Sequence, residues 1–128
     1  MEQKLELMVV DDEPIVGKRL KATLEKHGYK VEVFESGRSA IDRLGEKKFD
    51  IVVSDVRMED ANGLEVLDAV QKSSSRTKTI LITGYATVEM AHEALAKGAF
   101  DFLAKPFQPK DLRDMIEKAA KEMAKSGG

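Results

Sequence analysis

The chain has 128 residues, a formal net charge of −2 and 34% charged residues, with both signs interspersed. This length predicts a single domain, and the balance of charge excludes the basic surface that direct nucleic-acid binding requires. Because the sequence contains no cysteine, disulfides, thiolate catalysis and cysteine-bound zinc are excluded. No apolar run approaches the length of a membrane span, so we expect a cytoplasmic domain without membrane contact.

Strand and helix patterns alternate five times along the chain. Apolar and alternating runs predict strands at 5–10, 30–34, 49–54, 79–83 and 100–104. Residues that favour a helix N-terminus follow each strand, namely Asp12 or Glu13 with Pro14, Ser36, Asn62, Thr87 and Pro109. The fourth helix has only a thin apolar stripe, and we expect it to be the least firmly held. That stripe consists of Met90, Ala91, Ala94 and Leu95.

The composition of the strands predicts their order in the sheet. The first, third and fourth strands are continuously apolar, as expected for strands buried on both faces, whereas the second and fifth alternate as edge strands do. This pattern predicts an α/β domain with a doubly wound, five-stranded parallel sheet of order 2-1-3-4-5 and helices on both faces. We assign residues 1–124 to this domain and residues 125–128 to a tail that is disordered or left by cloning.

Polar side chains follow four of the strands at one edge of this sheet. They are Asp11 and Asp12 after the first strand, Asp55 after the third, Thr83 after the fourth and Lys105 after the fifth. Right-handed crossovers place these strand ends on the same edge. Taken singly, each residue also fits a turn, a helix N-terminus or a solvated surface. Together, a carboxylate cluster, a hydroxyl and an ammonium indicate a phosphoryl-binding site.

Converging carboxylates repel one another unless a cation lies among them. Hard oxygen ligands favour Mg²⁺, with Mn²⁺ as an alternative ion. We expect Asp11, Asp12 and Asp55 to hold this ion, and the backbone carbonyl of Arg57 to complete the ligand set. Asp12 would also cap the first helix.

These motifs resemble the response-regulator receiver domain of two-component signalling over residues 5–123. The resemblance rests on strand ends and on the loop after the third strand, namely Asp11-Asp12, Asp55 with Met58 and Gly63, Thr83, and Lys105-Pro106. The runs 82–86 and 98–103 look most like the receivers of NtrC-like transcriptional activators. The resemblance implies the flavodoxin-like fold and a cis peptide bond between Lys105 and Pro106.

The resemblance also implies a phosphorylation switch rather than an enzyme that turns over a substrate. A sensor histidine kinase would pass a phosphoryl group from a phosphohistidine to Asp55, with Mg²⁺ and Lys105 neutralising its charge. Thr83 and Phe102 would then move toward the modified carboxylate and change the surface of helix four, strand five and helix five. This surface would form a homodimer and control an output domain or effector protein, expected to act in transcription. The domain would promote its own phosphorylation and dephosphorylation.

Three residues near Asp55 differ from, or vary within, the family pattern. Glu59 stands where the family often has proline, and it adds negative charge near the site. Arg57 and Tyr85 occupy variable positions that flank the path of the water that hydrolyses the phosphoryl group. We expect these two bulky side chains to slow self-dephosphorylation.

Three other functions fit parts of the pattern. A pseudo-receiver would bind partners without being phosphorylated, although the acidic pair, Asp55, Thr83 and Lys105 are all intact. A haloacid-dehalogenase-like phosphatase requires Asp-x-Asp on its nucleophile strand, which Asp55-Val56-Arg57 does not match. A flavodoxin-like FMN-binding protein requires a hydroxyl-rich phosphate loop, and a carboxylate cluster would repel the FMN phosphate.

Overall fold

Five strands and five helices alternate in the described part of the chain, which comprises residues 4–58, 60–84 and 88–126 of a computed structural model. The strands are β1 (Glu6–Val10), β2 (Lys30–Phe34), β3 (Ile51–Asp55), β4 (Lys78–Thr83) and β5 (Asp101–Ala104). The helices are α1 (Pro14–Lys26), α2 (Gly37–Leu44), α3 (Gly63–Ser73), α4 (Val88–Ala96) and α5 (Pro109–Ser126). The predicted N-cap of α4, Thr87, lies outside the described residues.

The strands form one parallel sheet of order β2-β1-β3-β4-β5, which confirms the predicted topology. The register pairs Val10 with Ser54 and Asp55 with Ile82, so the carboxyl ends of β1, β3 and β4 lie level. Every residue of β3 is buried, as its apolar run Ile51-Val52-Val53 predicts for a strand inside a parallel sheet. A polar side chain at the end of β3 therefore sits at the centre of the sheet edge.

Helices cover both faces of the sheet and bury alternate side chains of each strand. On one face, α1 and α5 pack against β1, β3 and β4 through Leu20, Leu24, Leu112 and Ile116. On the other face, α2 and α3 pack through Ala40, Leu44, Val66 and Val70. Ala94 of α4 joins a smaller cluster with Leu67 and Leu81. The two main clusters hold the strand ends in a fixed relation to one another.

Several predicted boundaries and contacts were wrong. β3 begins at Ile51 and includes Asp55, and α5 ends at Ser126; the division of the chain at residue 124 stays a prediction. By contrast, the N-cap of α1 is Glu13, one of the two residues predicted for that position, and its N–H donates to the carboxylate of Asp11. Leu95 is 40% exposed, since one residue along a helix turns the side chain by about 100° away from the buried face.

Within the described residues, no helix has both the length and the apolar character that crossing a membrane requires.

Candidate functional site

Four of the predicted site residues lie together at the carboxyl edge of the sheet. Asp11 follows β1, Asp55 ends β3, Thr83 ends β4 and Lys105 follows β5. The residues Asp11, Asp55 and Thr83 are almost completely buried, with exposures of 2%, 7% and 6%. Buried polar groups at a strand end are unusual unless they are partnered. Their burial marks this edge as the candidate site.

Three carboxylates form a cluster at this edge. One oxygen from each of Asp11, Asp12 and Asp55 lies within 4.8 Å of the other two. The Asp11 carboxylate is oriented by the Glu13 N–H, which donates to Oδ1 at 2.9 Å. Asp12 is exposed, so the cluster opens to solvent on one side. A set of carboxylate oxygens that can be approached by water fits a hard divalent cation such as Mg²⁺.

Lys105 brings a positive charge into contact with this cluster. Its Nζ lies 3.1 Å from Asp55 Oδ2 and 3.3 Å from Asp11 Oδ2. The lysine is held in place because its backbone N–H donates to the Thr83 carbonyl at 2.8 Å. The peptide bond between Lys105 and Pro106 is cis, as the resemblance implies. The ammonium therefore bridges the two buried carboxylates.

The electrostatics of the site oppose full ionisation of Asp55. Burial raises the pKa of Asp55, the nearby charge of Asp11 raises it further, and the ammonium of Lys105 offsets only part of this effect. Burial acts to lower the pKa of Lys105, but its bonds and charge interactions with the two aspartates raise the value above its usual one. The lysine stays protonated at neutral pH, while Asp55 is a poorly solvated carboxylate in need of further positive charge.

The loop between β3 and α3 begins at this carboxylate. The Arg57 N–H donates to Asp55 Oδ1 at 3.3 Å, and the Gly63 N–H donates to the Val56 carbonyl at 2.9 Å. A Cβ at Gly63 would lie 2.7 Å from the Asp55 carbonyl oxygen, so only glycine allows this close return of the chain. The Arg57 side chain is exposed. Its carbonyl as a metal ligand stays a prediction.

The predicted switch residues flank the cluster. Thr83 is buried at the end of β4. Phe102 is half-buried and packs against the small cluster of Val56, Leu81 and Ala94. Their movement upon phosphorylation stays a prediction. Glu59 and Tyr85, which the sequence placed near the site, lie outside the described residues.

One residue of this region was not predicted. Asp60, in the loop after Asp55, accepts hydrogen bonds from the Gly37 and Arg38 N–H groups at the start of α2. Its carboxylate lines a cleft together with Asp12, Glu35 and Ser36. The sequence carries a weak signal of this contact, because a glycine directly after a helix cap indicates a close approach of another backbone.

Comparisons with known proteins identify the family. The response regulator receiver domain matches residues 7–117. The chain is 36% identical over 115 residues to the transcriptional regulatory protein ZraR of Escherichia coli K12, covering 90% of this chain and 26% of ZraR. It is 35% identical over 122 residues to FixJ of Bradyrhizobium diazoefficiens, covering 95% of this chain and 60% of FixJ. The chain thus spans about a quarter of the length of ZraR.

Solved structures agree with this assignment. A CheY-like receiver domain from Methanospirillum hungatei superimposes with a TM-score of 0.93 at 28% identity, covering 97% of this chain and 99% of that one. The beryllofluoride-activated NtrC4 receiver domain dimer superimposes with a TM-score of 0.86 at 35% identity, covering 92% and 98%. These similarities support the NtrC-like subfamily suggested by the sequence. The chain belongs to the response-regulator receiver domain family of two-component signalling.

Proposed function

We propose that Asp55 is the phosphoacceptor of this receiver domain, and that Lys105 and a divalent cation make the transfer to it feasible. The observation that carries this proposal is the contact of one lysine Nζ with two buried carboxylates, at 3.1 Å from Asp55 and 3.3 Å from Asp11. Such a cluster costs folding free energy in an apolar setting, since like charges are held together. A reaction that uses the clustered carboxylates explains why the fold contains them despite this cost.

The transfer forms one bond and breaks another. A carboxylate oxygen of Asp55 forms a bond to phosphorus as the P–N bond of a donor phosphohistidine breaks, and the bonding electrons leave with the imidazole nitrogen, which takes up a proton. The products are an acyl phosphate on Asp55 and an unmodified histidine. Lys105 stays protonated and neutralises charge on the transferred oxygens, which is the main form of catalysis in phosphoryl transfer.

The carboxylate cluster is the proposed place of the cation. Asp11, Asp12 and Asp55 provide three oxygens within 4.8 Å of one another, and one of these residues faces solvent. We propose Mg²⁺, with Mn²⁺ as an alternative, and the Arg57 carbonyl as a further ligand. When bound, the ion would supply positive charge to the phosphoryl oxygens. The chain itself holds Asp11 in position through the Glu13 N–H and keeps Asp55 shielded from bulk water.

The donor is proposed to be a sensor histidine kinase that docks beside the site. A groove of about 440 Å³ lies next to Lys105 between α1 and the start of α5. Its lining includes Val16, Leu20 and Phe107, and Ile15 nearby is 64% exposed. An exposed aliphatic side chain beside an apolar groove suits a protein partner better than a small polar donor.

The response to phosphorylation is proposed to appear on α4, β5 and α5. Thr83 ends β4 beside the site, Phe102 belongs to β5, and α4 contributes only one fully buried side chain, Ala94, among those described. A thinly packed helix can adopt two arrangements that are close in free energy. This surface would control an output domain or effector acting in transcription, and would pair two copies of the domain. The domain turns over no substrate in this scheme.

Mass spectrometry of the intact protein tests the proposal. The wild-type chain is incubated with phosphoramidate, whose P–N bond matches that of phosphohistidine, in the presence of Mg²⁺ and separately with EDTA. We expect one added phosphoryl group with Mg²⁺ and little with EDTA. Asp55→Asn should gain none, whereas Asp68→Asn, at an exposed position of α3, should behave as wild type. Equal modification of wild type and Asp55→Asn would refute the proposal.

A further inference from the structure

The N-terminus of α2 is capped partly by a residue 23 positions away in the sequence. The Gly37 N–H donates to Asp60 Oδ1 at 3.1 Å, and the Arg38 N–H donates to Asp60 Oδ2 at 2.9 Å. The N–H groups of the next two residues bond locally to Ser36, at 3.1 and 3.2 Å. The first four N–H groups of a helix need external acceptors. Here the Ser39 N–H bonds to the local cap and the Gly37 and Arg38 N–H groups bond to the loop that follows Asp55, while the Ala40 N–H makes the first intrahelical bond.

The loop and the helix end are in direct contact at this point. Gly37 is buried, and a Cβ on it would overlap the carbonyl oxygen of Ala61. Ala61 itself is only 1% exposed. No space for a solvent layer separates the two backbones there, so a displacement of the loop must be accommodated by the start of α2.

The other end of the same loop is tied to the proposed phosphoacceptor. The Arg57 N–H donates to Asp55 Oδ1 at 3.3 Å. Only residues 58 and 59 separate this contact from Asp60. The loop is therefore fastened at one end to the carboxylate of the site and at the other end to α2.

The charge of Asp60 strengthens the attachment. Hydrogen bonds from the Arg38 N–H, and then from the Ala61 N–H, lower the pKa of Asp60, so its carboxylate is ionised at neutral pH. A carboxylate at the N-terminus of a helix also interacts favourably with the partial positive charge there. Asp60 is thus a charged acceptor held by two N–H donors of another element.

We propose that Asp60 is a positioning residue that couples cation binding at the Asp11–Asp12–Asp55 cluster to the N-terminus of α2. The inference rests on the proposed function, and it adds α2 to the elements that respond at this site. A cation bound at Asp55 would alter the hydrogen bond that the Asp55 carboxylate accepts from the Arg57 N–H. Because only two residues separate Arg57 from Asp60, this alteration would shift Asp60 as well. Because coupling between two sites is reciprocal, a firmly attached loop in turn favours the cation.

Titration with Mg²⁺, followed by amide chemical shifts, tests the coupling in the full chain and its variants. Asp60→Ala should weaken Mg²⁺ binding by about fivefold or more, which is at the low end of measured couplings. Asp60→Asn keeps one acceptor oxygen and should fall between Asp60→Ala and wild type. Ser36→Ala removes the other cap of the same helix without touching the loop, and Glu35→Gln removes a charge from the same cleft. Both controls should stay within about twofold of wild type.

Hydrogen exchange supplies a readout that depends on neither activity nor affinity. In wild type, Mg²⁺ should slow exchange of the Gly37 and Arg38 amides by a factor similar to the loss of affinity in Asp60→Ala. The two amides that bond to Ser36 serve as internal references and should change less. In Asp60→Ala the exchange of Gly37 and Arg38 should no longer respond to Mg²⁺.

The outcomes separate this inference from the proposed function. If Asp60→Ala binds Mg²⁺ as tightly as wild type or as Glu35→Gln, the inference is overturned, while the phosphoacceptor role of Asp55 stands. If Mg²⁺ does not change the hydrogen exchange of the Gly37 and Arg38 amides in wild type, the inference is overturned in the same way. A wild-type chain that binds no Mg²⁺ overturns both. If thermal unfolding shows that Asp60→Ala does not fold, Asp60→Asn decides by the same criteria.

Discussion

Replacing Asp55 by asparagine should make the metal-free protein more stable at neutral pH. The substitution removes one of the clustered carboxylates and keeps the size and an acceptor oxygen of the side chain. Burial raises the pKa of Asp55. A carboxyl whose pKa is higher in the folded than in the unfolded chain contributes stability below its unfolded pKa and loses it as the pH rises through its folded pKa. At neutral pH the wild type has lost that contribution.

The interactions of Asp55 give the magnitude of the effect. With an effective dielectric constant near 20, the attraction of Lys105 across 3.1 Å is about 5 kcal/mol. Repulsion by buried Asp11 within 4.8 Å is about 3.5 kcal/mol, and repulsion by exposed Asp12 is about 1 kcal/mol because water screens it. The attraction and the repulsion nearly cancel, so the desolvation of the Asp55 carboxylate decides whether the substitution raises or lowers the free energy of unfolding. We expect Asp55→Asn to raise the free energy of unfolding by about 1 kcal/mol, the common size of the effect of a single substitution.

Urea unfolding followed by far-ultraviolet circular dichroism measures this difference. In EDTA at pH 7 the variant should have the higher unfolding free energy, and its melting temperature should rise by about 4–8 °C. The difference should shrink as the pH falls through the folded pKa of Asp55, and should also shrink in Mg²⁺, which stabilises only the wild type strongly. Asp68→Asn is the exposed control. A variant less stable than wild type in EDTA at pH 7 would refute the reasoning.

Other substitutions test separate parts of the account. Lys105→Met leaves two buried carboxylates without a cation, so in EDTA the unfolding free energy should fall by about 2–3 kcal/mol, and phosphorylation by phosphoramidate should slow at least about tenfold; a rate equal to wild type would contradict its role. The Arg57→Ala, Tyr85→Ala double variant should lose its phosphoryl group faster than wild type, and equal lifetimes would dismiss that hypothesis. Asn62→Ala removes the side-chain cap of α3 and should lower the unfolding free energy by about 1 kcal/mol, with Asn62→Asp nearly neutral in the same urea assay. Ile15→Glu should slow transfer from a histidine kinase while leaving phosphoramidate labelling unchanged, and an equal loss with both donors would argue against docking at that groove.

The fold was predictable because its strands differ in burial. Strands apolar on both faces must be interior in a parallel sheet with helices on both sides, and alternating strands belong at the edges. That distinction places β2 and β5 at the edges, as observed, and the order of the three interior strands follows from the doubly wound arrangement. The site was predictable for the same reason, since parallel strands bring their carboxyl ends to one edge. Asp55 and Lys105 lie 50 residues apart in sequence and 3.1 Å apart in the structure.

Contacts that depend on loops were not predictable. Asp60 stands in a charge-rich segment without periodicity, and its two donors lie 22 and 23 positions away. Nothing in local propensity selects Asp60 over its neighbours as the residue that caps α2. The sequence left Asp12 and Glu13 as alternatives for the first helix cap; the structure has Glu13 there, and its N–H bonds to Asp11 Oδ1, a contact that local propensity does not report.

The apolar stripe of α4 shows a second limit of predicting side-chain packing from the sequence. A short helix with few large side chains has no strong rotational preference in its sequence. The structure buries Ala94 against Leu67 and Leu81 and leaves Leu95 exposed. Packing in this region is decided by the space above the sheet, which sequence periodicity alone does not report.

Chemical trapping of the phosphorylated carboxylate tests the central claim most directly. Borohydride reduces an aspartyl phosphate to homoserine, and tandem mass spectrometry of the peptides that contain residues 11, 12 and 55 locates the change. After treatment of the wild type with phosphoramidate and Mg²⁺, the account predicts homoserine at position 55 and unchanged aspartate at positions 11 and 12. Homoserine at either of those positions, or an unmodified residue 55 in a chain that has gained a phosphoryl group, would contradict it.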